Sequence, residues 1–303
     1  MREKIVIAFS LCAAIVFITV IASMHSGKVV VQEVPEEIRS FVVIDQKESG
    51  SVAHVFRARS IDRLFSGESG EVRDVATNGN VAAAVLAYGA ADSAVLWWGD
   101  DEVVTIERGE EDKDAVALSS DGTLVVYTRA LEGSVPEIVL TEVLSGNSRV
   151  IGSGHNPHLV SYHPNGDGEE KTVLLYDAPE GLRALDISTD TTALLPEFSV
   201  AFSESNLHTS PSGKYIAVFN KTTNEYAVFE VYRLFPIGLS SLGVIPNVFM
   251  SVALSDTALY GLIDREGKRE VVRLSLFSLT EQPSKVFTFP NTITPSRLIA
   301  PIH

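Results

Sequence analysis

The densest group of residues that could do chemistry is a run of three histidines and one aspartate. His155, His158 and His163 fall within nine consecutive residues, and Asp167 follows four residues after the last of them. Imidazole nitrogens and carboxylate oxygens are common zinc ligands, so a shared metal site is one interpretation. The three histidines are therefore candidates for a binding site, provided that the local backbone can bring them together.

The backbone expected around these histidines does not favour a shared metal. Pro157 prevents a helix, and residues three apart on a strand point to opposite faces of the sheet. The sequence therefore predicts a loop leading into the strand LVSYH, and no metal. The NGDGE segment, residues 165–169, lacks the terminal bidentate glutamate and the flanking helices of an EF-hand, so we predict a glycine-rich hairpin turn there.

Two adjacent tryptophans, Trp97 and Trp98, are the other candidates for binding. Neighbours on a strand face opposite ways, so one indole is expected to pack between sheets and the other to lie nearer the surface. An exposed indole beside Asp100 and Asp101 could stack on a sugar or a peptide. Packing in the core is the alternative, and the sequence favours it.

Motifs of the familiar catalytic classes are absent from the sequence. The chain contains no G-x-S-x-G nucleophile elbow, no P-loop, no G-x-G-x-x-G and no H-E-x-x-H. We therefore expect no cofactor and favour a non-enzymatic role. With 24 lysines and arginines against 39 aspartates and glutamates, the net charge is −15, so the chain lacks the basic surface that nucleic acid requires.

The elements that must position these residues are short strands. Runs of β-branched and aromatic residues, bounded by Gly, Asp, Asn, Ser and Pro, recur at intervals of about 8–12 residues, as at Val81–Leu86 and Tyr215–Phe219. This pattern is typical of an all-β chain that forms a sandwich, a barrel or a propeller.

Internal repetition favours the propeller. Five turn residues, each before a strongly apolar strand, recur with spacings of 43, 44, 47 and 43 residues. They are Gly79, Gly122, Gly166, Gly213 and Asp256. Residues 114–154 show the unit most clearly, as DAVALSS, TLVVYTRA, PEIVLTEVL and NSRVIGSG. Four antiparallel strands in about 40–45 residues are the size of one propeller blade, and a tandem β-sandwich is the alternative.

Two of these turns carry a signature. SSDGTLVVY around Gly122 and SPSGKYIAVF around Gly213 resemble the S-P-D-G-x-x-[apolar]-[apolar]-[aromatic] signature of TolB-type repeats, a subclass of WD-repeat-like β-propellers. The resemblance covers most of residues 40–295, with degraded copies at the other three turns. It implies a propeller fold and assigns neither an activity nor a ligand.

The length of the repeat region sets the number of blades. At about 44 residues per blade, residues 36–300 give six four-stranded blades, with five or seven as alternatives. Five units are explicit, so the sixth is expected to be split between the two ends of the repeat region. FVVID and AHVFRAR near its start would then join VFTFP near its end, closing the ring without an unpaired edge.

The N-terminal segment predicts a transmembrane helix. Residues 5–24 contain no charged side chain, and twenty residues at about 1.5 Å each span roughly 30 Å of hydrocarbon. They account for essentially all of the positive mean hydropathy of +0.17. Signal peptides have apolar regions of about 7–15 residues, so an uncleaved signal-anchor is favoured over a peptide cleaved at Ser23. Arg2 and Lys4 predict a cytoplasmic N-terminus.

These predictions divide the chain into a cytoplasmic stub and anchor at 1–27, a tether at 28–40 and a propeller at 41–303. The single cysteine, Cys12, lies within the anchor, which suits an exported domain without disulfides. We expect a single-pass membrane protein whose partners are the bilayer and an extracytoplasmic protein or small ligand. The alternative is an extracytoplasmic hydrolase or lactonase, with a metal or paired acids supplied one per blade at the channel mouth.

Overall fold

The computed structural model describes residues 40–302, with gaps at 48–49, 58–59, 64–69, 79, 90–91, 100–101, 132, 163–169, 196–206, 221–222 and 247. The described residues form six antiparallel sheets of four strands each. No helix occurs among them, and so none that could cross a membrane. The predicted anchor at residues 5–24, its cytoplasmic stub and all of the tether except Ser40 lie outside this part of the chain.

Each sheet forms one blade of a ring, and five blades are built from consecutive strands. Blade 1 contains β4 (Glu71–Thr77), β5 (Ala82–Ala87), β6 (Ser93–Gly99) and β7 (Glu102–Gly109). Blade 2 contains β8 (Asp112–Leu118), β9 (Leu124–Ala130), β10 (Glu137–Glu142) and β11 (Ser148–Ser153). Blade 3 contains β12 (His155–Tyr162), β13 (Lys171–Ala178), β14 (Gly181–Asp186) and β15 (Thr191–Leu195). Blade 4 contains β16 (Leu207–Thr209), β17 (Tyr215–Asn220), β18 (Glu225–Leu234) and β19 (Ile237–Pro246). Blade 5 contains β20 (Ser251–Leu254), β21 (Ala258–Arg265), β22 (Lys268–Ser275) and β23 (Ser284–Thr288).

Blade 6 closes the ring by combining both ends of the described chain. Its strands follow the order β24 (Pro295–Ile302), β1 (Ser40–Lys47), β2 (Gly50–Arg57) and β3 (Ser60–Arg63). The prediction of six blades with one split blade is therefore confirmed, and so is the four-stranded unit at residues 114–154, which is blade 2.

The predicted closing strand is wrong, however. VFTFP overlaps β23, the outermost strand of blade 5, whereas β24 pairs with β1 from Ser40↔Ile302 to Asp45↔Pro295. The segment that does close the blade contains Pro295 and Pro301, and proline is unfavourable in a central strand. An innermost strand has a sheet neighbour on one side, so it tolerates proline, and the pairing bends at two register shifts.

The second strand of each blade shows why a continuous apolar run forms a strand here. In β5, AAAVLA, all six residues are buried. Alternate side chains leave opposite faces, so Ala83 and Val85 pack toward blade 2, while Ala84 and Leu86 pack toward blade 6. A strand covered on both faces requires apolar residues at every position.

The core is divided among the spaces between neighbouring blades. Among the described residues, six clusters of buried apolar side chains fill these spaces, one for each pair of adjacent blades. The cluster between blades 5 and 6 joins Val43 and Leu298 to Tyr260 and Phe287. Apolar burial therefore continues around the whole ring, including the place where the two ends of the chain meet.

The ring has two distinct faces. Because strands alternate in direction, the turns between first and second strands lie on one face, which we call the turn face. It carries Asn78, Ser119–Gly122 and Ser210–Gly213. Ser40 and Ile302 pair at the same end of blade 6, so both ends of the described chain lie on the turn face. The opposite face carries turns between second and third strands, such as residues 131–136.

Candidate functional site

The six innermost strands surround an axial cavity of about 390 Å³. Its lining begins near the middle of these strands and reaches the turn face at Asn78, Ser120, Ser161 and Pro211. The cavity is therefore built by backbone segments that are far apart in the sequence and that meet because the ring closes.

Four blades supply the ionisable groups of the cavity. Asp74 comes from β4, His158 from β12, His208 from β16 and Arg297 from β24. Blades 2 and 5 contribute small and apolar side chains instead, namely Ala115, Val116, Ala117 and Leu118 from one and Val252, Ala253 and Leu254 from the other. The cavity therefore has an acid–base pair on one side, two imidazoles on another and apolar walls between them.

Asp74 and Arg297 form an ion pair across the contact between blades 1 and 6. Arg297 Nη1 lies 3.0 Å from Asp74 Oδ1, and the backbone N–H of Val116 donates to Asp74 Oδ2 at 2.9 Å. Burial raises the pKa of the Asp74 carboxyl, although Arg297 and the donated N–H of Val116 oppose this rise. Asp74 thus touches blades 6 and 2 from its place on blade 1.

The two imidazoles are neutral at pH 7. Burial lowers the pKa of His158 to about 4, and the charge of Arg297 adds to the shift. Burial lowers the pKa of His208 to about 3, helped by His158 and Arg297. His158 Nε2 lies 2.7 Å from the carbonyl oxygen of Leu207, which can only accept, so this nitrogen carries the proton.

His208 differs from His158 in one respect. Its Nε2 is buried and forms no hydrogen bond with any described residue. A buried polar atom without a partner costs free energy, and in native proteins such atoms are uncommon. The lining of the cavity therefore includes one hydrogen-bonding atom, His208 Nε2, for which the described residues supply no partner.

These groups do not assemble a metal site within the part of the chain described here. No group of three or more His, Cys, Asp or Glu residues there has the spacing to hold a metal ion. The arrangement can instead donate hydrogen bonds from a guanidinium and an imidazole, next to an apolar wall.

The serines of the repeat signature have a structural role at the rim of the cavity. The hydroxyls of Ser119 and Ser210 each accept the backbone N–H five residues later, at 2.9 and 3.1 Å. Gly122 and Gly213 then adopt φ of +75° and +68° and donate to the carbonyls of the same serines at 2.9 Å. The left-handed conformation explains why glycine recurs at this position.

Neighbouring turns are also bonded to one another around the mouth. Asn78 Nδ2 donates to the carbonyl oxygen of Ser120 at 2.8 Å, and Ser161 Oγ donates to Ser120 Oγ at 3.0 Å. The Ser212 amide lies 3.4 Å from a carboxylate oxygen of Asp256, the residue that replaces the turn glycine in blade 5. These bonds fix the rim of the cavity.

Both tryptophans pack between blades. Trp97 lies against the cluster between blades 1 and 2, and its Nε1 donates to the carbonyl oxygen of Gly122 at 3.1 Å. Trp98 lies against the cluster between blades 6 and 1. Both side chains are partly exposed, and neither lines the cavity.

The predicted histidine group is divided by the structure. His158 lines the cavity, His155 is exposed at the start of β12, and His163 lies outside the described residues. The loop predicted before LVSYH is wrong, because β12 begins at His155. A register shift between His155 and His158, with Asn156 at φ +48°, inserts an extra residue and accommodates Pro157 within the strand.

Comparison of the sequence with protein-family models and with curated proteins finds no match. Comparison of the structure does find similar folds. TolB from Acinetobacter baumannii is 13% identical, with a TM-score of 0.55 over 86% of this chain and 66% of that chain. The β-propeller domain of Cps50 (Swd1) from Myceliophteria thermophila is 14% identical, with a TM-score of 0.53 over 91% and 93%.

The chain has a six-bladed β-propeller fold. A chain of the nidogen/laminin complex shares this propeller architecture, at 11% identity and a TM-score of 0.57 over 86% of this chain and 97% of that chain. At these identities the likeness establishes the propeller fold alone, and this chain spans only 66% of the TolB chain that it matches.

Sequence reasoning missed Asp74, His208 and Arg297 as residues of the propeller channel. A signal was present for two of them, because Asp74 and His208 each stand five residues before the turn glycine of their repeat, Gly79 and Gly213. Both residues occupy the same position of their innermost strands and line the cavity. Arg297 carried no such signal, since its strand was not recognised.

Proposed function

We propose that this protein is a single-pass membrane protein that presents a non-enzymatic β-propeller outside the cytoplasm. Its axial cavity binds a protein segment or a small ligand. The binding function rests on the cavity, whose volume of about 390 Å³ lies within the usual range of ligand pockets, about 300–1,000 Å³. Its polar groups converge from four blades, and one of them, His208 Nε2, has no hydrogen-bond partner among the described residues.

Two further observations support a protein partner. A similar propeller occurs in the nidogen/laminin complex, in which two proteins are bound together. The net charge of −15 attracts basic partners and repels acidic ones, so it favours a basic or neutral partner, and it opposes contact with anionic lipid headgroups.

The anchor is proposed from residues 5–24, which are long and apolar enough to span a bilayer. Because Ser40 starts β1 on the turn face, such an anchor would hold that face toward the membrane. A tether of residues 28–40 reaches on the order of 45 Å when fully extended. The mouth of the cavity would then open into the space between propeller and bilayer. A reporter fused after His303 is expected to be active only outside the cytoplasm, and cytoplasmic activity would overturn this orientation.

An extracytoplasmic hydrolase or lactonase is the second candidate function. The convergence of Asp74, Asn156, His158 and His208 on the axis is the observation that favours it. Thermal unfolding of the full chain with calcium, zinc or EDTA separates the two. A metal-dependent rise in the melting temperature of several degrees, reversed by EDTA, would favour a metal-dependent enzyme, and an unchanged melting temperature would argue against one.

Co-purification tests the binding function. Ser120 is exposed at the mouth of the cavity, and Ser134 is exposed on the opposite face, so Ser120→Trp and Ser134→Trp are a matched pair. Tagged full-length protein in detergent is expected to retain a companion, which Ser120→Trp loses and Ser134→Trp keeps. Equal retention by both variants, or loss through Ser134→Trp alone, would contradict a binding site at the turn face.

A further inference from the structure

The lining of the cavity includes two groups, on β24 and β16, whose hydrogen-bonding capacity the described residues do not fully use. Arg297 uses Nη1 for Asp74 and for the carbonyl oxygen of Arg73, at 3.0 and 3.4 Å. Its Nε and Nη2 form no hydrogen bond with the described residues, and its side chain is 45% exposed. His208 Nε2 is likewise without a partner in this part of the chain, although it is buried.

The chemistry of these donors selects their ligand. The Nε–Nη2 edge of a guanidinium presents two parallel N–H groups, the geometry that a planar carboxylate accepts. A neutral imidazole in its Nε2–H form adds one more donor. Because Asp74 already balances the charge of Arg297, a singly charged group is accommodated more easily than a doubly charged phosphate.

We propose that the axial cavity binds a carboxylate group, held by the free edge of the Arg297 guanidinium and by Nε2 of His208. This inference rests on the proposed binding function, because it takes the cavity as the binding site. The carboxylate belongs either to a small organic acid or to the C-terminus of a peptide, and the apolar residues Val116 and Val252 flank it.

Ligand-observed saturation-transfer NMR on the full-length protein tests this proposal. The probes are acetate, tri-alanine, tri-alanine C-terminal amide and, by competition, inorganic phosphate, each at constant ionic strength set with sodium chloride. Acetate and tri-alanine are expected to give saturable signals, and the amide is expected to bind at least tenfold more weakly than tri-alanine. Tri-alanine tighter than acetate indicates a peptide terminus, and equal affinities indicate a small acid.

Three variants locate the site. His208→Asn and Arg297→Lys are each expected to weaken tri-alanine binding at least tenfold. Arg149→Lys is the matched control, because Arg149 is also 45% exposed and paired with an aspartate, but lies on an outer strand. Melting curves identify folded variants, and either cavity variant alone is sufficient for the test.

Several results would overturn the proposal. These are no saturable signal from acetate or tri-alanine, equal binding of the amide, tighter binding of phosphate, or full binding by every cavity variant that folds. If carboxylate binding fails while Ser120→Trp still abolishes retention of the companion protein, the carboxylate proposal is overturned and the proposed binding function stands. Carboxylate binding without any companion would overturn the protein partner instead.

Discussion

Arg297 on the last strand lies 3.0 Å from Asp74 on the innermost strand of the first blade, so a single ion pair spans the closure of the ring at its axis. Asp74 is 5% exposed and also accepts the N–H of Val116 from blade 2. The carboxylate therefore bonds to groups on both neighbouring blades. The residue that shapes the cavity also stabilises the ring.

Replacing Asp74 should destabilise the protein. Asp74→Ala leaves the N–H of Val116 buried without an acceptor and Arg297 without its partner, and it is expected to lower the free energy of unfolding by about 1–3 kcal/mol. Asp74→Asn keeps an acceptor and should lose less. The control Asp190→Asn removes the charge of an exposed pair with Arg149 and suits the left-handed φ of +53° at this position, so it should change stability by less than about 0.5 kcal/mol. Urea unfolding measures all three, and equal stability of Asp74→Ala and wild type would refute the prediction.

The turn glycines offer a separate test of backbone and packing effects. Gly213 has φ of +68°, and an added Cβ would lie 2.8 Å from Val160, whereas Gly133 has φ of +76° and open space around it. Gly133→Ala should cost about 1–2 kcal/mol for the left-handed conformation. Gly213→Ala adds a clash, so its loss in urea unfolding should exceed that of Gly133→Ala by about 1 kcal/mol or more. Equal losses of stability for Gly213→Ala and Gly133→Ala would show that Gly213 does not approach Val160 closely.

Stability should fall as the pH is lowered from about 6.5 to about 4. Unfolded histidine has a pKa near 6.5, whereas burial lowers the folded pKa of His158 to about 4 and of His208 to about 3. In this window the unfolded state binds more protons, so acidification destabilises the fold by an amount on the order of a few kcal/mol. The stabilisation is fully present above pH 6.5.

The double variant His158→Gln, His208→Asn isolates this effect. Arg297 and Asp74 are the charged groups that share the cavity, and the raised pKa of Asp74 acts with the opposite sign in both proteins. The free energy of unfolding of the variant, measured from pH 7.5 to pH 4, should therefore fall less steeply than that of wild type. Parallel curves would show that these two histidines do not titrate as buried groups.

Closure by β24 predicts a specific truncation result. A chain that ends after residue 294 loses the innermost strand of blade 6, including Leu298 of the core and Arg297 of the cavity. It should lose cooperative urea unfolding, whereas removal of residue 303 alone should not. Full cooperativity in the shorter chain would show that the ring does not depend on β24.

The blades could be predicted well from the sequence, because the turns and strands that form each blade are determined by residues close together in the chain. Gly122 and Gly213 recur since the turn needs a left-handed residue, and β5 is continuously apolar since both of its faces are covered. The candidate site was harder to predict, because Asp74, His208 and Arg297 line the same cavity only once the ring has closed. Arg297 could not be predicted, because β24 contains prolines and does not have the pattern of a central strand. Proline is unfavourable in a central strand but is tolerated in an innermost one.

Photo-crosslinking tests the central claim, binding at the turn face, most directly. p-Benzoyl-phenylalanine would replace Ser161, which lines the mouth, or Ser134 on the opposite face, in full-length protein in its native membrane. A crosslinked adduct of discrete mass is expected from position 161 and not from position 134. An adduct from position 134 alone, or none from position 161 in the folded protein, would contradict the claim.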